Sequence, residues 1–119
     1  MSLAAVVITK NEEKNIERCL TSLSFCDEII VVDSFSTDKT VDISKRFTSQ
    51  VISRNWNGYV DQKNYAVGLA HHDWILSIDA DEEVSPELKA EILEIIKSHP
   101  KETAFLVARK TIHSGKWIR

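Results

Sequence analysis

Three apolar runs of strand length set the narrowest limits on how this chain can fold, because they are nearly continuous and do not alternate. Leu3 to Thr9 reads LAAVVIT, Glu28 to Val32 reads EIIVV, and Trp74 to Ile78 reads WILSI. A strand with one face in water alternates apolar and polar residues, so a strand that is apolar throughout calls for cover on both faces. The segments between them supply that cover. Ile16, Cys19, Leu20 and Leu23 fall at i, i+3, i+4 and i+7, a single helical stripe. Asn11 is the expected cap of that helix, with Glu12 and Glu13 near its positive end. Strand, helix and strand joined by short connections form a βαβ unit, whose strands are parallel and whose crossover is right-handed.

The same reading carries to the end of the chain. Hydroxyls in Ser34–Asp38 can cap a helix predicted from Asp38 to about Phe47. Val51–Ser53 is a short strand, Asn55–Gly58 a loop, and Asp61–Leu69 a short helix that closes in a polar turn at His71–Asp73. Ser85-Pro86-Glu87 is a clear helix start: a serine cap, a proline at the first helical position and then an acid. The apolar face of that helix is Leu88, Ile92, Ile95 and Ile96, and it ends near His99-Pro100. Ala104–Ala108 is a last strand, followed by a basic tail from Arg109 to Arg119. The predicted fold class is α/β, a three-layer sandwich around a mostly parallel sheet, formed as one domain over residues 1–119.

Composition removes several classes of function. The formal net charge is −3, so no bulk attraction to nucleic acid or to anionic membrane is expected. No apolar run approaches the ~20 residues of a membrane span, and the N-terminus lacks a signal-peptide pattern. The expected location is cytoplasmic. Cys19 and Cys26 are too few for a zinc knuckle, and Cys19 lies on the apolar helix stripe as a reduced core thiol.

In open parallel sheets, ligands bind outside the carboxyl ends of the strands. Here three strands end in polar clusters: Thr9-Lys10-Asn11-Glu12, Asp33-Ser34 and Asp79-Ala80-Asp81. Alternate residues of an extended chain share a face, which puts Asp79 and Asp81 roughly 6.5 Å apart along the strand. Carboxylates that close destabilise each other unless a cation or water lies between them. All-oxygen acidic ligands suit Mg²⁺ or Mn²⁺. The plainer alternative is a solvated acidic turn before a helix, and a single Asp-x-Asp triplet does not exclude it. The three glycines, Gly58, Gly68 and Gly115, form neither a Gly-x-Gly-x-x-Gly turn nor a Walker-type phosphate loop. Glu83 stands where a haloacid-dehalogenase-type phosphatase wants Thr or Val, and the order of acids is wrong for a phosphorylation receiver.

Taken together, Leu3 to Asn11 with Glu12-Glu13, Val32-Asp33-Ser34-Phe35-Ser36-Thr37-Asp38, Gln62-Lys63-Asn64 with Ala66, and Ile78-Asp79-Ala80-Asp81-Glu82 resemble a family 2 glycosyltransferase. The chain is most similar to the bacterial lipopolysaccharide core glucosyltransferases, which share the Asp-Ser-x-Ser-x-Asp and Asp-Ala-Asp-Glu-Glu-Val-Ser-Pro-Glu-Leu forms. The resemblance implies a GT-A fold and transfer of sugar, with inversion, from a nucleotide-diphosphate sugar, typically a UDP-sugar. It implies that Thr9, Asn11 and Glu12 line the nucleotide pocket and that Asp33 accepts a hydrogen bond from the base. It places Lys63 near the diphosphate, Asp79 by the ribose and metal, and Asp81 on the metal itself, which would be Mn²⁺ or Mg²⁺. The implied acceptor is a lipid-linked saccharide, met at the inner face of the membrane.

Gln62 and Asn64 are hydrogen-bonding candidates that a solvated helix explains equally well, while Trp56, Tyr59 and Trp74 read as packing residues. His71, His72, His99 and His113 read as surface residues. Members of this family are usually at least twice this length, with the acceptor-binding half and general base downstream of the acidic triplet. The expectation is therefore either the donor-binding half of a longer enzyme or a truncated product, in each case with no catalytic base of its own. Self-association through an exposed Ala104–Ala108 edge is also expected. The rival reading is a non-catalytic nucleotide-binding remnant acting as an interaction module; a nucleotidyltransferase would want a glycine- and arginine-rich loop after the first strand.

Overall fold

A computed structural model describes residues 2–71, 73–98, 104–107 and 116–118. The three apolar runs form β1 (Leu3–Thr9), β2 (Glu28–Asp33) and β4 (Trp74–Asp79), and β3 (Val51–Ser53) and β5 (Ala104–Val107) complete a parallel set. The sheet order is β3-β2-β1-β4-β5-β6. All seven residues of β1 are buried, as its central position and its lack of alternation demand.

Helices cover both faces of the sheet, giving three layers. On one face, Leu3, Ala5 and Val7 of β1 and Trp74, Leu76 and Ile78 of β4 pack with α1 (Ile16–Thr21) and α4 (Pro86–Ser98) through Ile16, Cys19, Leu20, Leu88 and Ile92. On the other, Val6, Ile8, Ile30 and Val32 meet Ala66 of α3 (Tyr59–Leu69). The alternation of strand side chains thus divides one apolar run between two cores. Ser85 caps α4 as expected, its Oγ accepting from the Leu88 N–H at 3.1 Å.

Three local expectations need correction. Asn11 does not cap α1. It stands in the left-handed region at φ 51°, where an N-cap is normally extended. The chain turns once more before Ile16, whose N–H reaches the Glu12 carbonyl at 2.8 Å. The helix predicted over Asp38–Phe47 is shorter, α2 (Thr40–Ser44). Asp38 is taken up by a side-chain turn onto the Thr40 N–H at 2.9 Å, and Arg46 and Phe47 close with tight i−3 bonds. The basic tail holds β6 (Lys116–Ile118), which pairs antiparallel with β5. The outer edge of β5, on which the expectation of self-association rests, is therefore covered. A strand of three residues is too short to read from periodicity, but it satisfies backbone groups that β5 would otherwise expose. His72, His99, His113 and Ala108 lie outside the described residues. No helix among the described residues is long and apolar enough to cross a membrane.

Candidate functional site

The strand order fixes where the polar strand ends meet. β1 lies between β2 and β4, with Thr9 level with Asp33 on one side and Ile8 level with Asp79 on the other. The winding of the sheet reverses between β1 and β4, and at such a switch point the loops diverge and leave a crevice. A cavity of about 250 Å³ lies there, between the end of β1 (Ile8–Lys10, Glu12) and that of β4 (Asp79–Asp81), walled by Trp56 and Tyr59.

On the β4 side, the carboxylates of Asp79, Asp81 and Glu82 converge, with ligand atoms all within 4.8 Å of one another. A tight turn brings them together. The Glu82 N–H donates to the Asp79 carbonyl at 2.9 Å, and the Glu82 Oε1 accepts from the Asp79 N–H at 2.9 Å. Among the described residues this is the one grouping of three metal-capable side chains. A larger hollow of about 770 Å³ opens at the opposite edge, beside Cys26–Ile29 and Phe47–Gln50. It lacks such a grouping, so the smaller cavity is the chemical candidate.

Asp79 is half-buried and has cationic and hydroxyl company. The Tyr59 hydroxyl donates to both of its oxygens, at 3.1 and 3.0 Å. The Lys63 ammonium lies 4.0 Å from Oδ1 and 5.0 Å from the centre of the Tyr59 ring. Beneath the site, the Cys19 Sγ donates to the Asp79 carbonyl at 3.7 Å. Burial, and then the charges of Glu82, Asp79 and Asp81, push this thiol up to about 12. At neutral pH it is an inert core thiol.

The β2 side is built differently. Asp33 is wholly buried, 0% exposed. Its carboxylate accepts from the Ser36 N–H at 2.8 Å and from the Ser36 hydroxyl. It does not stand free at the edge to meet a base. Asn11 is likewise engaged: its Oδ1 accepts from the Thr37 N–H at 2.8 Å, and its N–H donates to Ser36 Oγ at 2.7 Å. The Glu12 side chain accepts from Asn15 Nδ2 at 3.0 Å, and Lys10 donates to the Ser34 carbonyl at 2.9 Å. Thr9 differs, since its buried hydroxyl oxygen has no hydrogen-bond partner and it lines the cavity.

Gln62 is neither solvated nor in the cavity. Fully buried, it donates to Ser34 Oγ and accepts from Arg54 Nη1, each at 3.0 Å, tying α3 to the β2 loop. Asn64 is exposed. Trp74 is buried as expected, but Trp56 and Tyr59, read as packing residues, are 52% and 45% exposed and face the cavity. Tyr59 was hidden because the helix begins two residues before the predicted Asp61. Once Tyr59 is helical, its i,i+4 spacing to Lys63 aligns both on one side of the helix.

Comparison with known proteins agrees with this architecture. The chain is 50% identical over 101 residues to an uncharacterized glycosyltransferase of Rickettsia felis, covering 84% of this chain and 36% of that protein. It is 31% identical over 115 residues to the lipopolysaccharide core biosynthesis glycosyltransferase LpsC of Rhizobium meliloti, covering 92% and 43%. It therefore spans between about a third and under half of these relatives' length. Among solved structures it resembles S. aureus TarS, with a TM-score of 0.65 at 26% identity over 84% of this chain and 33% of that one. Glucosyl-3-phosphoglycerate synthase from Mycobacterium tuberculosis, solved with Mg²⁺ and UDP, shares the fold at a TM-score of 0.62 and 24% identity, over 77% and 39%. The family pattern of glycosyl transferase family 2 matches residues 4–119, and with the GT-A sheet and its acidic strand end in place, the chain belongs to that family.

Proposed function

We propose that this chain is the donor-binding part of an inverting glycosyltransferase that takes a UDP-sugar with Mn²⁺ or Mg²⁺. The observation that carries this reading is the convergence of Asp79, Asp81 and Glu82 within 4.8 Å beside a cavity at the sheet's switch point. A hard, all-oxygen donor set of that size suits either cation, and Asp81 with Asp79 would hold it. When bound, the cation stabilises the negative charge that develops on the diphosphate leaving group.

The chain's own residues have separate tasks. Thr9 offers the cavity an unpartnered hydroxyl, a donor or acceptor for the nucleotide. Lys63 brings positive charge to the diphosphate. Asn11, Glu12 and Asp33 shape the wall on which the base lies; Asp33 does so from beneath, by holding Ser36, and reaches the base only if that loop turns away. The cavity is smaller than the roughly 300–1,000 Å³ of complete small-molecule pockets. We assign the acceptor site and the general base to the part of the family's length that this chain does not span. The likeness to LpsC supports a role in lipopolysaccharide or other cell-surface polysaccharide assembly, with a lipid-linked saccharide as acceptor at the cytoplasmic face of the membrane.

Calorimetry with UDP tests the reading. Affinity should rise with Mn²⁺, and Asp81→Asn should remove that gain while leaving metal-free binding unchanged. Equal affinity with and without Mn²⁺ would reject the metal site, and equal affinity for ADP would reject uridine.

A further inference from the structure

The Tyr59 hydroxyl is nearly equidistant from the two Asp79 oxygens, at 3.1 and 3.0 Å. A cation bound through both oxygens would draw on the same lone pairs, so hydroxyl and cation compete for one carboxylate. Lys63, one turn further along α3, brings its ammonium to 4.0 Å from Oδ1 and over the Tyr59 ring. Its side chain is 18% exposed and that of Asp79 33%, so water screens this pair less than it would a fully exposed one. One helix thus delivers a hydroxyl and a positive charge to Asp79, one of the three acids.

We propose that Tyr59 and Lys63 form an internal stand-in for the divalent cation. Tyr59 is a positioning residue that acts through Asp79. In the ligand-free chain the pair neutralises Asp79 and holds the three acids together without metal. A divalent cation alone must compete with both groups. A diphosphate attracts Lys63 to itself and frees Asp79, so nucleotide and cation bind with positive coupling. The inference rests on the metal site proposed above and adds an order of loading to it: nucleotide with or before cation. The coupling is reciprocal, so each ligand raises the affinity of the other by the same factor.

The test measures Mn²⁺ binding to the chain by the electron paramagnetic resonance of free Mn²⁺, with and without UDP, and UDP binding by calorimetry. Wild type should bind Mn²⁺ weakly alone and more tightly with UDP. Tyr59→Phe keeps the ring and removes the hydroxyl; it should bind Mn²⁺ alone about tenfold more tightly, the order of one hydrogen bond to a charged group, and show a smaller coupling to UDP. Lys63→Gln should tighten Mn²⁺ alone and weaken UDP, an opposed pair of effects that a loss of structure does not produce. Circular dichroism of both variants checks that the fold is kept. If Mn²⁺ binding requires Asp81 but is unchanged or weaker in both variants, the stand-in is wrong while the metal site stands. If Asp81→Asn leaves Mn²⁺ binding as it was, the site itself is wrong and the stand-in falls with it.

Discussion

The loop after β2 and the turn after β4 are both acidic strand ends on the same edge of one sheet, yet they use their polar groups in opposite ways. After β2, the polar groups bond to one another and to the β1 loop. Asp33 holds Ser36, Asn11 holds Thr37, the Glu13 N–H donates to Asp38 at 3.2 Å, and the Glu12 N–H donates to Thr40 Oγ1 at 2.8 Å. These bonds stitch the β1 and β2 loops into one wall, and left-handed Asn11 and Phe35 (φ 51° and 54°) are held in place by it. After β4, three carboxylates converge on one another. The first cluster is bonded within its own loops, whereas the second gathers like charges beside a cavity, the arrangement proposed above to hold a cation. Counting acids does not distinguish the two; the position of their partners does.

Three substitutions or conditions sharpen this contrast, beginning with the largest effect. Asp33→Ala removes the acceptor of the Ser36 N–H and hydroxyl inside a fully buried site, and should cost about 3 kcal/mol of stability in urea unfolding. Unchanged stability with lost uridine binding would make Asp33 a direct reader of the base and undo its placement as scaffold.

The opposite sign is expected across the sheet. Asp81→Asn relieves repulsion between half-buried Asp81 and its two acidic neighbours, so metal-free stability should hold or rise by up to about 1 kcal/mol, as thermal unfolding in chelator can measure. A clear loss there would show that the β4 turn is also scaffold.

The smallest effect concerns pH. Although desolvation pulls the Asp38 carboxyl upward, hydrogen bonds from the Thr40 hydroxyl and N–H and the Glu13 N–H outweigh it and hold the group below its ordinary value. The folded chain therefore takes up this proton less readily than the unfolded one. The stabilisation is complete above the ordinary carboxylate range, about pH 4, and is lost as pH falls through the lower folded value. The Thr40 and Glu13 amide resonances should shift with a midpoint below that of free aspartate. A midpoint at or above it would mean that the stitching is not made in solution.

Much of the fold was legible because it is local. Continuous apolar runs marked β1, β2 and β4, the 3.6-residue stripe marked α1, and Ser85-Pro86 marked the start of α4. The collection of Thr9, Asp33 and Asp79 at one edge followed from the strands being parallel. Local signals failed where a side chain had a distant alternative: Asn11 looked like a helix cap, but its amide served the β2 loop. Lys116–Ile118 carried no readable period, yet β5 gave it a partner.

By itself, then, the sequence determined that β1 to β5 are strands, that they run parallel, and that acids end β2 and β4, since backbone periodicity and charge are properties of neighbouring residues. Tertiary structure alone decided that β4 lies beside β1, which opens the cavity between Thr9 and Asp81. It also decided that Asp33 is buried and bonded while Asp79 receives Tyr59 and Lys63 from another helix. Those outcomes depend on which groups far apart in the chain come within hydrogen-bonding distance, and no pattern of neighbouring residues encodes that distance.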